Sequence, residues 1–391
     1  MLRKLTGAET VANRLVVFDP EIEAWLDNRI FDEAFAREWP GALHWARLAE
    51  LAARKGISIE TIDRFLSRRN VLDASACLMT QATCLSTFTR KVLAEQGAFA
   101  GICVCLESPF VAHDFYHNLE AYSSWFRHVF TFAGAKERVT APGTIFHPIV
   151  WPYESREVIP GTTWSARQYL TLINSNRRAE QNIFPRLRLW HPRSSFLNLA
   201  RFIRTRAALR KDPWFGRELY VERLAAIRYF AREPGFDLFG RGWDKPVPGV
   251  ADEFNRAVQK CFRGEIPPLG KVGVLSRYRF AICFENSSFP GYITEKILDC
   301  FCAGCIPVYL GAPDVDDFIP PEAFIDFRRV SGYGELDTFL KNMTEEQAAG
   351  YREAGRTFLA SSGFDQFDSE GLACQLMAAV EDCFAQMGHE A

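Results

Sequence analysis

Phe280-Ala281-Ile282-Cys283-Phe284-Glu285-Asn286-Ser287-Ser288-Phe289-Pro290-Gly291-Tyr292-Ile293-Thr294-Glu295-Lys296-Ile297 reads as an apolar strand, a polar turn and the opening of a helix. Thr294 is a favourable N-cap, and Glu295 and Lys296 then fall in the first helical turn. Gly304 marks the end of that helix, and Ile306-Pro307-Val308-Tyr309-Leu310-Gly311 reads as the next strand. The result is a β-α-β unit whose polar residues gather at the carboxyl end of a strand, where open α/β sheets bind ligands. Lys296 is the odd member. A cation near a helix N-terminus opposes the helix dipole at a cost of about 0.3–1 kcal/mol. A bound anion removes the conflict, because ammonium and helix terminus then attract the same charge.

The same logic extends outward. Gly101-Ile102-Cys103-Val104-Cys105-Leu106 is a continuous apolar run of the kind found in strands buried on both faces. Residues 57–62 and 74–80 read as strands, 128–132 as another, and 22–35, 44–53, 86–96 and 116–122 as helices. Alternating helices and strands imply a parallel, Rossmann-like sheet. Pro142, Pro148, Pro152 and Pro160 then mark a linker. A second sheet begins near residue 169, with a helix over 220–230, a strand over 236–239, a short strand at 324–326 and an amphipathic tail helix over 370–387. The expected organisation is a Rossmann-like domain over 1–160, a second Rossmann-like domain over 161–365, and a segment 366–391 that packs back on the body.

The 391 residues suffice for two such domains, and with 48% apolar and 24% charged residues they can bury real cores. The net charge of −2 gives no electrostatic case for nucleic acid. The 11 cysteines lie mostly in apolar patterns, which fits buried thiols in a reducing compartment. Neither a signal-like apolar run near the start nor a membrane-spanning stretch is visible, so a cytoplasmic location is expected.

The string from Phe284-Glu285-Asn286 through Gly291-Tyr292-Ile293-Thr294-Glu295-Lys296-Ile297 to Gly311 resembles the donor-site motif of the α-1,3/1,4-fucosyltransferases, glycosyltransferase family 10. Leu106-Glu107-Ser108-Pro109 is similar to that family's glutamate-containing turn, and Asn174-Ser175-Asn176 to its element opening the donor domain. Arg217-Glu218-Leu219-Tyr220-Val221-Glu222-Arg223-Leu224 resembles its arginine-containing helix. The resemblance implies a GT-B fold, two Rossmann-like domains facing across a cleft. It also implies inverting transfer of L-fucose from GDP-β-L-fucose to an acceptor glycan, α-1,3 to GlcNAc or Glc, with neither metal nor cofactor. Carried over by position, Arg217 and Lys296 grip the pyrophosphate, Glu295 accepts from ribose hydroxyls, Asn286, Tyr292 and Asn176 complete the donor site, and Glu107 is the general base. A GT-B enzyme using GDP-mannose, or a glycan-binding protein of the same fold without turnover, are the competing expectations.

Read as chemistry, the pattern makes sense. Negative charge grows on the departing GDP, and fixed cations beside a helix N-terminus can take it up. Arg223 is the rival to Arg217, and Asp114, Glu120 and His113 are fallback bases. Asp314-Val315-Asp316 looks like a metal motif but follows a turn, His113 and His117 lack a third ligand, and Cys300, Cys302 and Cys305 read as core thiols. Residues 177–211 carry ten Lys or Arg against one acid, Glu180, and 194–209 place Phe196, Leu199, Phe202 and Ile203 on one helical face. That pattern suits peripheral contact of 194–211 with an anionic inner-membrane face or a lipid-linked acceptor, so the expected acceptor is an oligosaccharide or a lipid-linked glycan.

Overall fold

A computed structural model of the protein describes residues 14–20, 22–68, 76–81, 83, 89, 100–159, 162–176, 212–246 and 251–387. Apart from Thr89, the helix expected over 86–96 lies outside the described residues, as does the basic segment 177–211. The first sheet is built from β1 (Leu15–Pro20), β2 (Ser58–Thr61), β3 (Ala76–Gln81), β4 (Ala100–Val104), β5 (Phe126–Thr131) and β6 (Ile145–Pro148), parallel throughout in the order β2-β1-β3-β4-β5-β6. β7 (Gln168–Ile173) opens the second half. β8 (Arg217–Glu218) and β11 (Ser287–Ser288) form a small antiparallel ribbon, and β9 (Phe236–Phe239), β10 (Tyr278–Phe284), β12 (Ile306–Leu310) and β13 (Ile325–Asp326) complete a parallel sheet in the order β13-β12-β10-β7-β9. Both are doubly wound sheets, and the pair is the GT-B architecture.

Several sequence expectations change, and the helix expected over 116–122 is two short helices, His113–His117 and Leu119–Ser123. Residues 22–35 do not form one helix: they make two single 3-10 turns and the short helix Glu33–Arg37. Asp27 and Asn28 between those turns have left-handed backbone, φ 61° and 59°. Asn28 exchanges bonds with Thr61, its N–H donating to Oγ1 (2.9 Å) and its Oδ1 accepting the Thr61 N–H (2.7 Å), so a tertiary contact overrides the local periodicity. The proline-rich stretch after residue 142 carries the edge strand β6, which ends on Pro148, a position where a missing N–H costs little.

The tail helix Ser369–Met387 returns to the first sheet. Its Leu372, Ala373, Leu376, Met377, Val380, Cys383 and Phe384 are buried with Val16, Phe18, Met79, Ile102 and Trp45. The two halves also interlock. Phe289 and Tyr292, from the turn after β10, are buried in the cluster of the first domain with Tyr116, Phe132 and Val129. Gly134 N–H donates to Pro290 O (3.1 Å), and Trp151 N–H to Ile293 O (3.3 Å). Gly291 has φ 77°, and a Cβ there would lie 2.9 Å from Ala133 N, so glycine serves both the turn and the close approach. Among the described residues no helix is long and apolar enough to cross a membrane.

Candidate functional site

The second sheet reverses its winding at β7, which has β10 on one side and β9 on the other. A cleft of about 510 Å³ opens there, at the carboxyl ends of those strands. Leu172 and Ile173 at the end of β7 line it with Asn174 and Ser175 after them, Gly240 and Arg241 follow β9, and Trp39 and Pro40 of the first domain also line it. The volume lies in the range of small-ligand sites.

Glu285, at the end of β10, organises the helix Glu295–Ala303. Its side chain is wholly buried. Its carboxylate accepts the Thr294 N–H (2.7 Å) and hydroxyl (2.8 and 2.9 Å) and the Lys296 ammonium (2.9 Å). Thr294 has the extended backbone of an N-cap, yet its hydroxyl does not cap the helix. It is committed to Glu285 and also accepts from Lys296 (2.7 Å). The conflict between Lys296 and the helix dipole is therefore met inside the protein by a carboxylate that the sequence reading left without a role. Gly311 makes room for it, since a Cβ there would lie 2.6 Å from Glu285 Cγ.

One turn of the helix carries the remaining charges. Lys271 donates to Glu295 Oε1 (3.0 Å), and Lys296 lies 4.0 Å from the same oxygen. Burial works against ionisation of Glu295, but Lys271 and then Lys296 outweigh it and hold the carboxyl well below its ordinary range. Glu295 in turn holds Lys271 above its ordinary value. Burial opposes the charge on Lys296, and Glu285 and Glu295 more than restore it. Asp299, one turn further on, also lines the cleft and accepts the Tyr153 hydroxyl (2.7 Å). Burial pushes its carboxyl up to about 6.

Arg217 and Arg223 separate sharply. The residues resembling an arginine-containing helix begin as strand: Arg217 pairs with Ser288 in the β8–β11 ribbon, and the helix starts only at Tyr220. The Arg217 side chain is 65% exposed, is paired with Glu222, and does not line the cleft. Arg223 is buried and lines it. Its Nε (2.9 Å) and Nη2 (2.7 Å) donate to Phe284 O, and Nη2 to Asn286 Oδ1 (2.8 Å). Its Nη1 is buried with no partner among the described residues. An unpaired guanidinium nitrogen in a buried site is costly, and an anion in the cleft would satisfy it.

Asn286 Nδ2 passes the chain of bonds on to the Tyr292 hydroxyl (3.1 Å). Burial raises the Tyr292 phenol well above its usual range, and the nearby Glu107 carboxylate adds to this. Glu107, half-buried in the turn after β4, thus lies near Tyr292 but outside the cleft lining. Asn176 sits behind the wall: its N–H donates to Arg241 O (2.8 Å) and Nδ2 to Gly242 O (2.9 Å), while Asn174 and Ser175 face the cleft. The structure therefore brings together Asn286, Glu295 and Lys296, sets Tyr292 and Asn176 behind them, and leaves Arg217 outside. Lys271, Asp299 and Glu285 are additions. The i, i+4 spacing of Glu295 and Asp299 in a cleft-facing helix was the available signal for Asp299.

The remaining motifs have other partners. Asp314 accepts the Gly291 N–H (2.9 Å), and Asp316 faces Arg328 (3.4 Å) and Arg329 (3.6 Å). Cys300 lies 3.2 Å from Cys283 as a buried free thiol. Asp114 accepts from Tyr122 (3.1 Å), and Glu120 is exposed.

Residues 252–354 match the family model described as glycosyltransferase family 10 (fucosyltransferase), C-terminal. An alpha-(1,4)-fucosyltransferase of Arabidopsis thaliana is 33% identical over 75 residues, 19% of each chain. An alpha-(1,3)-fucosyltransferase 7 of Rattus norvegicus is 42% identical over 133 residues, 33% of this chain and 31% of the other. The chain thus matches about a fifth to a third of the length of these curated relatives. A sucrose-phosphate synthase from Thermosynechococcus elongatus superposes with a TM-score of 0.55 at 11% identity, over 95% of this chain and 100% of that one, a likeness of fold.

Proposed function

We propose that the chain, whose residues 252–354 match the glycosyltransferase family 10 (fucosyltransferase) model, is a fucosyltransferase of that family and moves L-fucose from GDP-β-L-fucose to a hydroxyl of an acceptor glycan, with inversion and without a required metal. The observation that carries this reading is the buried Nη1 of Arg223, without a hydrogen-bond partner among the described residues, in a cleft that Lys296 and Lys271 also line, at a helix N-terminus and the switch point of the second sheet. That arrangement favours a diphosphate. Arg223, rather than the exposed Arg217, is the guanidinium that fits the role.

In this reading Lys296 and Arg223 receive the charge that grows on the diphosphate as the sugar departs. They are already held in place, so little reorganisation is needed at the moment of reaction. Glu295, kept ionised by Lys271 and Lys296, accepts from a vicinal diol of the ribose. Asn286 orients Arg223. Glu107 takes the proton of the acceptor hydroxyl, on the face of the sugar opposite the diphosphate, as inversion demands.

The test is product formation. The protein is incubated with GDP-fucose or GDP-mannose and an array of glycans ending in galactose or N-acetylglucosamine, with EDTA present. Transfer of fucose alone is expected. Transfer only from GDP-mannose, or loss of transfer with EDTA that added metal restores, would overturn the donor or the metal-free mechanism respectively.

A further inference from the structure

Asp299 is not explained by a grip on a diphosphate. It is a carboxylate, 7% exposed, on the cleft-facing side of the helix that supplies Glu295 and Lys296. Around this turn Arg223, Lys271 and Lys296 stand with Glu285, Glu295 and Asp299, so the fully ionised cluster is electrically neutral. A sugar nucleotide brings two phosphate charges that do not titrate between pH 5 and 8. Placing them beside three buried carboxylates leaves the site strongly negative, unless one carboxylate takes a proton.

The geometry selects which one. Glu285 is held by Thr294 and Lys296. Glu295 has Lys271 at 3.0 Å and Lys296 at 4.0 Å. Among the described residues Asp299 has no ion pair within the same reach. It is faced by the Tyr153 hydroxyl from the segment after β6, by Lys271 from the helix Lys271–Leu275, and by Glu295 and Lys296 from its own helix; Cys302 shares the Tyr153 hydroxyl. Its carboxyl already stands near 6, chiefly because it is buried, with Glu295 adding to the rise and Lys271, Tyr153 and Lys296 opposing it. An arriving dianion acts in the same direction as Glu295. No histidine lines the cleft among the described residues to take the proton instead.

We propose that Asp299 takes up a proton when the diphosphate of a sugar nucleotide enters the cleft, so that donor binding is proton-linked through this residue. The inference rests on the donor reading above. The carboxylate becomes a carboxylic acid that still accepts from Tyr153, and its new O–H can donate toward the ligand. No other bond is made or broken.

The experiment is calorimetric titration of GDP-fucose, without acceptor, into the full chain at pH 7, in two buffers of very different ionisation enthalpy. Affinity is then followed from pH 6 to pH 8. Expected is net proton uptake at pH 7 and an affinity that falls by about threefold or more across the range, within the single-proton limit of about tenfold per pH unit. Asp299→Asn keeps an acceptor for Tyr153; it should abolish the uptake and flatten the pH profile. Tyr153→Phe removes a bond that favours the ionised form and should move the linked window to higher pH. Binding with equal enthalpies in both buffers, or wild-type uptake in Asp299→Asn, overturns this inference alone. Absence of GDP-fucose binding at every pH, in a protein with native circular dichroism, overturns the donor reading and this inference with it.

Discussion

Two arginines six positions apart should respond to substitution in opposite ways. Arg223→Ala removes a buried donor set and should weaken GDP-fucose binding by roughly ten- to a hundredfold, the range for charge-assisted bonds of about 1.5–3 kcal/mol. Arg217→Ala removes an exposed pair with Glu222 and should change affinity by less than about threefold. A calorimetric comparison of the two variants decides between them. Glu107→Gln should lower kcat by about 10²–10⁴-fold while leaving donor affinity near wild type, as expected of a base that meets only the acceptor. Unchanged turnover would remove Glu107 from that role. Asp299 gives a stability prediction with a definite sign. Its folded value, about 6, lies above the ordinary 3.8, so the protonated form is favoured by folding. The stabilisation is fully present below about pH 4 and is lost as pH rises through about 6. Asp299→Asn should therefore raise the melting temperature at pH 8, by on the order of 1–3 kcal/mol of stability, and much less at pH 4. An equal effect at both values would contradict the shift.

At the scale of elements, legibility followed how far local and tertiary preferences agree. β10, its turn and the helix Glu295–Ala303 were readable because an apolar run, an N-cap position and a left-handed Gly304 all point the same way. β1, a central strand of the first sheet, was not singled out although Leu15–Pro20 is buried almost throughout. A short apolar run is ambiguous until its neighbours are known. The backbone of Arg217 departs from its local pattern for a related reason. Its register with Tyr220 and Leu224 suits a helix, but its backbone is taken by Ser288 in a ribbon that no local pattern announces. Glu285 was hidden by its surroundings, because an acid at the end of an apolar strand reads as the first residue of a polar turn. The tail helix was readable from its periodicity, whereas its partner was not. Leu376 is fully buried against the first sheet, so Leu376→Ala should cost about 2–5 kcal/mol in urea denaturation, with the loss falling on the first domain. A change below about 0.5 kcal/mol would mean that the helix is not packed there.

At the scale of the molecule, the parts form one chain of contacts from the cleft to the first domain. Arg223 holds Asn286, Asn286 holds Tyr292, and Tyr292 is buried in the first domain near Glu107. The turn after β10 is thus also a joint between the domains. Two sheets and a linker follow from alternating strand and helix patterns alone, but this joint depends on Phe289, Gly291 and Tyr292 meeting residues some 160 positions earlier, beyond any sequence period. The central claim is that fixed positive charge at the start of the helix Glu295–Ala303 holds a sugar-linked diphosphate. Its most direct measurement is the affinity of GDP-fucose for wild type and for the double variant Lys296→Ala, Arg223→Ala at low and moderate salt. The account predicts that the double variant loses at least about a hundredfold in affinity, with turnover falling at least as far. Affinity and turnover within threefold of wild type would contradict it.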